Sequence, residues 1–302
     1  MNRNGLLAAG LLLAVSASAA FAGGTTASFL KLGSGARAAG LGGAYTAVSG
    51  DINSISYNPA GLAGLKRSGA GFTRAELVEG VSYNFLGYSR PIAKGNIGLA
   101  VNYLGQSSID GRGPNREITG SFQASDTAVN LAYARPITAR AGLGLNFKYI
   151  TGRISGESAA GWAVDAGWQY RTPVKGLGLG FAVQNLGPEM KFLDEGSALP
   201  LTARAGAGYA LPANMLLSLD ISRQVNEKKT VFSVGSEYAV FNSVFMRAGY
   251  LASTAAGGSG LADAGGLKAG FGFKLRDFNL DYAVTPFGDI GRAHRISLGA
   301  GF

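Results

Sequence analysis

From about residue 68 to its end, the chain repeatedly alternates apolar residues with small or polar ones. The stretches 97–103, 143–149, 162–171 and 267–274 show this most clearly. A period of two predicts β-strands with one apolar face. The other face of a soluble sandwich meets bulk water and carries large charged side chains. Here that face carries glycine, alanine and single charges, which suits the confined lumen of a transmembrane β-barrel.

Strand number follows from the spacing of these segments, because membrane strands need about 9 to 11 residues and bacterial barrels use an even number. We predict 14 strands, near 68–74, 80–90, 95–104, 122–134, 139–151, 161–171, 177–186, 200–210, 215–224, 230–239, 244–253, 265–275, 278–284 and 293–302. The predicted fold is therefore all-β, a 14-stranded antiparallel transmembrane β-barrel that spans residues 67–302.

The connections between the predicted strands alternate between short turns and longer polar or glycine-rich loops, as in membrane barrels. The sequence Tyr88–Ile92 at one short turn recurs at Tyr133–Ile137, and more loosely near residues 170–174 and 209–212. Proline ends a strand because it cannot donate a ladder hydrogen bond, and tyrosine suits the membrane interface. With the N-terminus in the periplasm, the short turns are expected to be periplasmic and the long loops extracellular.

The amino-acid composition argues against several other classes of protein. The 302 residues include 48 glycines, which disfavours a helical bundle, and no cysteine, which excludes disulfides and thiolate chemistry. The net charge of +9 is not concentrated, since the longest basic run is Lys228–Lys229. We therefore expect no nucleic-acid partner.

The first 22 residues have the organisation of a secretion signal peptide. Arg3 precedes the apolar stretch Gly5–Val15, and Ala20–Ala22 forms an A-x-A cleavage signal. The apolar stretch is shorter than the roughly 20 residues of a membrane helix. The mature chain is expected to begin at Gly23, after export.

Residues 23–66 lack strand alternation and form a separate N-terminal segment. Asn58 is a natural N-cap with Pro59 at the first helical position, which predicts a short helix over Pro59–Leu65. The pair Gly42–Gly43 permits close backbone approach. A segment of this length ahead of a closed barrel lies either in the periplasm or in the lumen.

Several parts of the N-terminal segment together resemble the N-terminal signature of the PorV/PorQ family, within the FadL-like outer-membrane barrels. These parts are Phe29–Leu32, Gly40–Tyr45, Asp51 and Asn58–Ala63. The resemblance implies a 14-stranded barrel in the outer membrane of a Gram-negative-type bacterium, surrounded by outer-membrane lipid. It also implies that the segment folds inside the lumen as a plug, with the motif Asn58, Pro59, Ala60 and Gly61 and the glycines Gly40, Gly42 and Gly43.

The last strand alternates apolar and small residues and stops on Phe302. It resembles the C-terminal strand by which the barrel assembly machinery recognises outer-membrane barrels. That machinery is therefore an expected partner.

Charged residues on the inward parity of the strands are the candidate lumen residues. They are Lys148, Asp165, Arg171, Arg204, Asp220, Glu237, Arg247, Lys268, Lys274, Asp281 and Arg295. Seven basic and four acidic side chains give a net positive lumen. Two interpretations stay open: the charges pair with one another and with segment residues such as Asp51, or they attract an anionic group such as the carboxylate of an amphipathic substrate.

Enzymatic motifs are absent or incomplete. His294 is the only histidine, which excludes a histidine-cluster metal site, and its parity is opposite to that of Ser297. Gly33, Gly35 and Ala38 imitate a dinucleotide fingerprint, but no strand precedes them. We expect neither enzyme activity nor a cofactor.

The family resemblance implies two functions. In the first, the barrel is a PorV-like component of type IX secretion that binds exported cargo at the cell surface, together with secretion-system subunits. In the second, it is a FadL-like passive transporter of hydrophobic small molecules such as long-chain fatty acids. The N-terminal signature favours the first, and a plug-like segment disfavours a general water-filled porin.

Overall fold

A computed structural model describes residues 25–77, 80–107, 109–112, 118–192, 195–254, 265–286 and 291–302. The predicted signal peptide, the predicted first mature residue Gly23 and part of the last two long loops lie outside these ranges.

Fourteen antiparallel strands form a closed barrel, and each strand pairs with its neighbours along the chain. They are β1 (Gly69–Glu76), β2 (Val81–Ile92), β3 (Gly95–Gln106), β6 (Ala124–Pro136), β7 (Ala141–Ile154), β8 (Glu157–Arg171), β9 (Leu177–Leu186), β12 (Thr202–Leu211), β13 (Met215–Gln224), β14 (Lys229–Phe241), β15 (Val244–Ser253), β16 (Gly266–Leu275), β17 (Phe278–Pro286) and β18 (Arg292–Gly301). β1 pairs with β18, with Gly69 opposite Gly301, and this seam closes the barrel. The predicted 14-stranded antiparallel barrel is confirmed.

Two small hairpins in the long loops were not predicted. They consist of β4 (Ile109–Arg112) with β5 (Ile118–Phe122), and of β10 (Met190–Phe192) with β11 (Glu195–Ser197). Each hairpin is a two-stranded sheet of its own, separate from the barrel wall. Strands this short have few ladder hydrogen bonds and give no clear alternation in the sequence.

The wall has its apolar face outward. In β7, Leu145 and Phe147 are 56% and 47% exposed, whereas Asn146 and Lys148 between them are buried. Successive side chains of a strand point to opposite faces, so the alternation in the sequence separates an apolar exterior from a polar, small-residue interior. A soluble barrel has the opposite arrangement, with an apolar interior and a polar exterior. An apolar exterior is the arrangement that contact with lipid requires.

The two rims of the barrel differ in their connections. The turns at 93–94, 212–214 and 276–277 are short and lie at the same rim as Phe302, which we call the short-turn rim. The opposite rim, called the long-loop rim, carries the β4–β5 and β10–β11 hairpins. Pro91 and Pro136 are among the last paired residues of β2 and β6, at the short-turn rim. A residue without a backbone N–H donor is tolerated at such a strand end.

The described part of the N-terminal segment, residues 25–66, consists of short helices joined by tight turns. The helix α1 (Ala36–Gly40) is accompanied by 3₁₀ helices at Ser28–Lys31, Ile52–Ser56 and Pro59–Gly64. Asn58 caps the last of these, and its side chain accepts a hydrogen bond from the amide of Ala60 at 3.1 Å. The helix predicted over Pro59–Leu65 is therefore present as a 3₁₀ helix that ends one residue earlier.

Among the described residues, no helix has the length and apolar character needed to cross a membrane.

Candidate functional site

The N-terminal segment lies against the inner face of the wall, at places where the strands carry glycine. A Cβ atom at Gly249 would lie 2.2 Å from the backbone nitrogen of Gly42, and one at Gly144 would lie 2.3 Å from that of Ala60. At Gly180 it would lie 2.2 Å from the carbonyl oxygen of Thr46. The inward glycines therefore allow the segment and the wall to touch backbone to backbone.

The segment's own glycines serve the same close contacts. Gly42 and Gly43 have φ values of +71° and +84°, a left-handed conformation that other residues rarely adopt. A Cβ on Gly42 would lie 2.9 Å from the carbonyl oxygen of Val234. Gly40 lies against β16, since its Cα is 3.3 Å from the position of a Cβ on Gly270.

The Asn58 motif joins the segment to β8. The buried Asn58 amide donates to the carbonyl oxygens of Thr46 at 2.8 Å and of Trp168 at 3.0 Å. A Cβ on Gly167 would collide with the Asn58 side chain. Pro59, Ala60 and Gly61 are buried behind it. The motif thus acts as a cap and as a contact between the segment and the wall.

Asp220 binds the middle of the segment from β13. One of its carboxylate oxygens accepts hydrogen bonds from the amides of Tyr45 and Thr46, both at 3.0 Å, and from the Thr46 hydroxyl at 2.6 Å. Arg204 on β12 lies 3.7 Å from the same oxygen. A carboxylate from the wall therefore fixes a turn of the segment.

An ion-pair network joins α1 to three strands. The Arg37 guanidinium donates two hydrogen bonds to Glu237 on β14, at 2.8 and 2.7 Å. Arg247 on β15 donates to Glu237 at 2.6 Å and to Asp281 on β17 at 2.7 Å. Asp51 lies 4.0 Å from Arg37. We call Arg37, Glu237, Arg247 and Asp281 the charge network.

A second buried network crosses β7, β8 and β9. Lys148 lies 2.8 Å from Asp165 and donates to the side chain of Asn185 at 2.6 Å. Asp165 also accepts from the amide of Asn185, at a bulge where the register of β8 and β9 shifts. Asn146 donates to Asp165 at 3.0 Å, and its link to Asn130 extends the network across the wall. The sequence did not single out these asparagines, although the inward parity of Asn130 and Asn146 between apolar residues was a usable signal; Asn185 is on the outward parity and turns inward only at the bulge.

The other predicted lumen charges have separate positions. Arg295 donates to the carbonyl oxygen of Gly33 in the segment, and Lys268 is buried on β16. Arg171 donates to the Ala139 carbonyl at 3.0 Å and is exposed near the short-turn rim, where Lys274 is also exposed. Among the eleven predicted charges, eight lie on strands β12 to β18.

The opposite half of the interior also contains apolar side chains. A buried cluster connects the segment with β1, β2, β3, β6, β7 and β8, with β10 and with the start of β18. Its buried members include Phe29, Leu32, Ile52, Ile55, Leu62, Tyr83, Phe85, Ile150, Met190 and Leu199. The barrel interior thus combines charged contacts on β13 to β17 with this apolar cluster, which packs against the same segment and adjoins the Lys148–Asp165 network. We call the cluster the apolar column.

Two cavities border the segment. One of about 90 Å³ faces the long-loop rim and is lined by Tyr57, Arg204 and Arg295. The other, of about 610 Å³, lies at the short-turn rim and is lined by Ile52 and by members of the charge network. Burial raises the pKa of Tyr57 above its ordinary value, so this side chain is neutral and can donate a hydrogen bond at neutral pH.

An ion pair fixes the start of the segment at the long-loop rim. Lys31 donates to Glu227, in the connection between β13 and β14, at 2.6 Å, and Thr25 donates to the same carboxylate. Burial acts to raise the pKa of Glu227, but the hydrogen bonds from Lys31 and Thr25 outweigh it and hold that pKa below its ordinary value.

Across the described ranges, no group of three or more acidic or histidine side chains is arranged to hold a metal ion.

No protein-family model matches the chain, and no curated protein matches it. Solved structures do. The Pseudomonas putida toluene transporter TodX is 12% identical with a TM-score of 0.67, over 89% of this chain and 97% of that one. The Ralstonia pickettii toluene transporter TbuX is 14% identical with a TM-score of 0.68, over 91% and 100%.

A Pseudomonas aeruginosa FadL homologue is 12% identical with a TM-score of 0.55, over 86% of this chain and 95% of that one. At these identities the likeness is one of fold. The chain thus shares the barrel architecture of these three proteins over most of its length.

Proposed function

We propose that this protein is an outer-membrane channel for the passive uptake of hydrophobic small molecules. The observation that carries the proposal is the apolar column, which extends through the lumen from Met190 near the long-loop rim to Ile52 at the 610 Å³ cavity. A water-filled porin has a polar interior. Apolar side chains inside a membrane barrel instead favour solutes that gain free energy on leaving water.

The charged side of the lumen has a complementary role in this proposal. The charge network and Asp220 bind the segment from β13, β14, β15 and β17. Ionised side chains that are already paired offer little attraction to an anionic solute. We therefore favour their role in fixing the segment as a plug, with solute passing along the apolar column.

The outer membrane is the location that fits an outward apolar face, and the fold of TodX, TbuX and the FadL homologue supports it. The PorV-like role in type IX secretion gains no such support. Its cargo-binding site would lie at the cell surface, whereas the features described above line the lumen. Transport of hydrophobic compounds is therefore the better supported of the two functions.

The test is uptake by bacterial cells that have an intact outer membrane and lack their own channel for hydrophobic compounds. Cells that produce the protein should take up radiolabelled toluene or oleate faster than cells with an empty vector. In planar bilayers the same protein should conduct little current. Uptake equal to the empty vector for both compounds would refute the proposal.

A further inference from the structure

The smaller of the two cavities, of about 90 Å³, lies between the N-terminal segment and the strands β9 and β12 to β18. It is several times larger than the roughly 10 to 15 Å³ that one water molecule needs. In the part of the chain that the structure describes, its lining contains no aspartate or glutamate but four cationic side chains, Lys31, Arg204, Lys268 and Arg295. Lys31 is paired with Glu227. The lining of the cavity is thus strongly basic.

Arg295 on β18 is a buried cation with no carboxylate at ion-pair distance among the described residues. It is only 8% exposed, and one of its nitrogens donates to the carbonyl oxygen of Gly33. Its guanidinium lies 5.8 Å from the centre of the Tyr83 ring. The Nε and Nη2 donors have no partner in the described ranges. Because arginine stays protonated in proteins and a buried charge is costly unless it is paired, Arg295 needs a countercharge.

The Arg204 guanidinium reaches the same cavity from β12. It donates to the carbonyl oxygen of Gly43 at 3.2 Å, and its group lies 5.3 Å from the centre of the Tyr57 ring. Asp220 is 3.7 Å away, but its nearer oxygen already accepts three hydrogen bonds from the segment. The Arg204 Nε donor has no hydrogen-bond partner among the described residues. Burial raises the pKa of Tyr57, and the charges of Arg295 and Arg204 act against this rise because both lie close to the ring.

Two serine hydroxyls line the cavity as well. Ser222 on β13 and Ser233 on β14 are 7% and 4% exposed. Neither hydroxyl has a hydrogen-bond partner within the described part of the chain. Together with the guanidiniums, these hydroxyls provide donors from β12, β13, β14 and β18. Donors on four strands suit a ligand that accepts hydrogen bonds in several directions, as the oxygens of a tetrahedral ion do.

We propose that this cavity binds one tetrahedral oxyanion of the phosphate or sulfate class. The ion accepts hydrogen bonds from Arg204, Arg295, Ser222 and Ser233, and it supplies the countercharge that the two guanidiniums need. Residues of the segment and of the wall share the lining, so the bound ion also links the segment to the wall at the long-loop rim. The inference concerns a resident ion and is independent of the transport function proposed above.

Equilibrium dialysis of the purified protein in detergent against radiolabelled inorganic phosphate tests the inference, at about pH 7 and constant ionic strength. The wild type should bind one phosphate per chain with saturation. Arg295→Gln should weaken binding at least about tenfold, because it removes a charged donor. The matched control is Arg140→Gln, since Arg140 is an exposed arginine in the turn between β6 and β7, and it should bind as the wild type does. Heat-modifiable electrophoretic mobility checks that each variant is folded.

The double variant Ser222→Ala/Ser233→Ala tests the site without any change of charge. It should also weaken phosphate binding several-fold, which a general attraction of the basic lining for anions does not predict. Where Arg295→Gln fails to fold, Arg295→Lys takes its place. Lysine retains the charge but loses the planar fork of donors, so this variant should weaken binding several-fold.

Absence of saturable phosphate binding by the folded wild type would overturn the inference. Binding that the folded arginine and serine variants leave unchanged would overturn it too. Sulfate should displace phosphate at similar concentrations, and acetate should not. Displacement by acetate at lower concentrations than by sulfate would show the ligand class to be wrong. Uptake of toluene and oleate by cells remains the separate test of transport, so either conclusion can fail alone.

Discussion

Replacing Glu237 with glutamine should loosen the hold of the wall on the N-terminal segment. Glu237 is the residue through which α1 and β15 are joined, because it accepts from both Arg37 and Arg247. The amide of glutamine is neutral and offers a single acceptor oxygen. After the change, Asp51 at 4.0 Å is the carboxylate near Arg37 among the residues that the structure describes.

The magnitude follows from the burial of the network. Removal of one partner of a buried ion pair costs about 3 to 5 kcal/mol. The network borders the 610 Å³ cavity at the short-turn rim, where water can replace part of the lost interaction. A cost of about 2 kcal/mol is therefore expected, which corresponds to about a 30-fold shift in the local equilibrium that holds α1 against the wall.

Single-channel recording in planar bilayers at moderate salt measures this shift. The Glu237→Gln protein should show brief openings about 30 times more often than the wild type. The matched control is Glu76→Gln, because Glu76 pairs with Arg74 at a site where both side chains are more than half exposed, and such pairs contribute little. A Glu237→Gln channel as closed as the wild type would refute the role of the charge network.

Three further predictions concern other contacts of the segment. Asn58→Ala should lower the free energy of local unfolding around the cap by about 2 to 3 kcal/mol, because it removes the cap and two buried hydrogen bonds. Faster amide hydrogen exchange around residue 60 should report this loss. Gly249→Ala places a Cβ against the segment and should lower the unfolding midpoint in denaturant, whereas Gly178→Ala, whose nearest contact is 3.8 Å, should not. The lowered pKa of Glu227 predicts that its bond to Lys31 stabilises the protein above the pKa of an unfolded glutamate and is lost as pH falls through the lowered folded value. The difference in thermal midpoint between wild type and Glu227→Gln should therefore be present at pH 7 and vanish once the pH is below the lowered folded pKa of Glu227.

The strands were predictable because a membrane wall imposes a strict period of two on the sequence. The predicted segment 177–186 coincides with β9, and 215–224 coincides with β13. Errors concentrate at the long-loop rim, where β7 and β8 continue beyond the predicted ends and meet in a tight turn at Ser155–Gly156. Lipid no longer constrains the side chains there, so the alternation fades.

The lumen contacts were less predictable. The alternation along the strands correctly placed Glu237 and Arg247 on the inward face. It could not show that Arg37 contacts Glu237, because the two residues are 200 positions apart in the sequence. The position of Met190 carried no signal either, since a single apolar residue in a polar loop is common. Contacts between an irregular segment and a regular wall depend on three-dimensional packing that local patterns do not encode.

The backbone contacts at Gly144, Gly180 and Gly249 have a consequence for how the segment can behave. They lie on β7 and β9, which flank β8, and on β15, four strands beyond β9, so the segment is held from more than one direction at once. Its expulsion as a unit would break these contacts together with the hydrogen bonds to Asp220 and Trp168. The segment therefore resembles an inner lining more than a stopper, and under the proposed transport function it would stay in place while a solute passes along one side of the barrel.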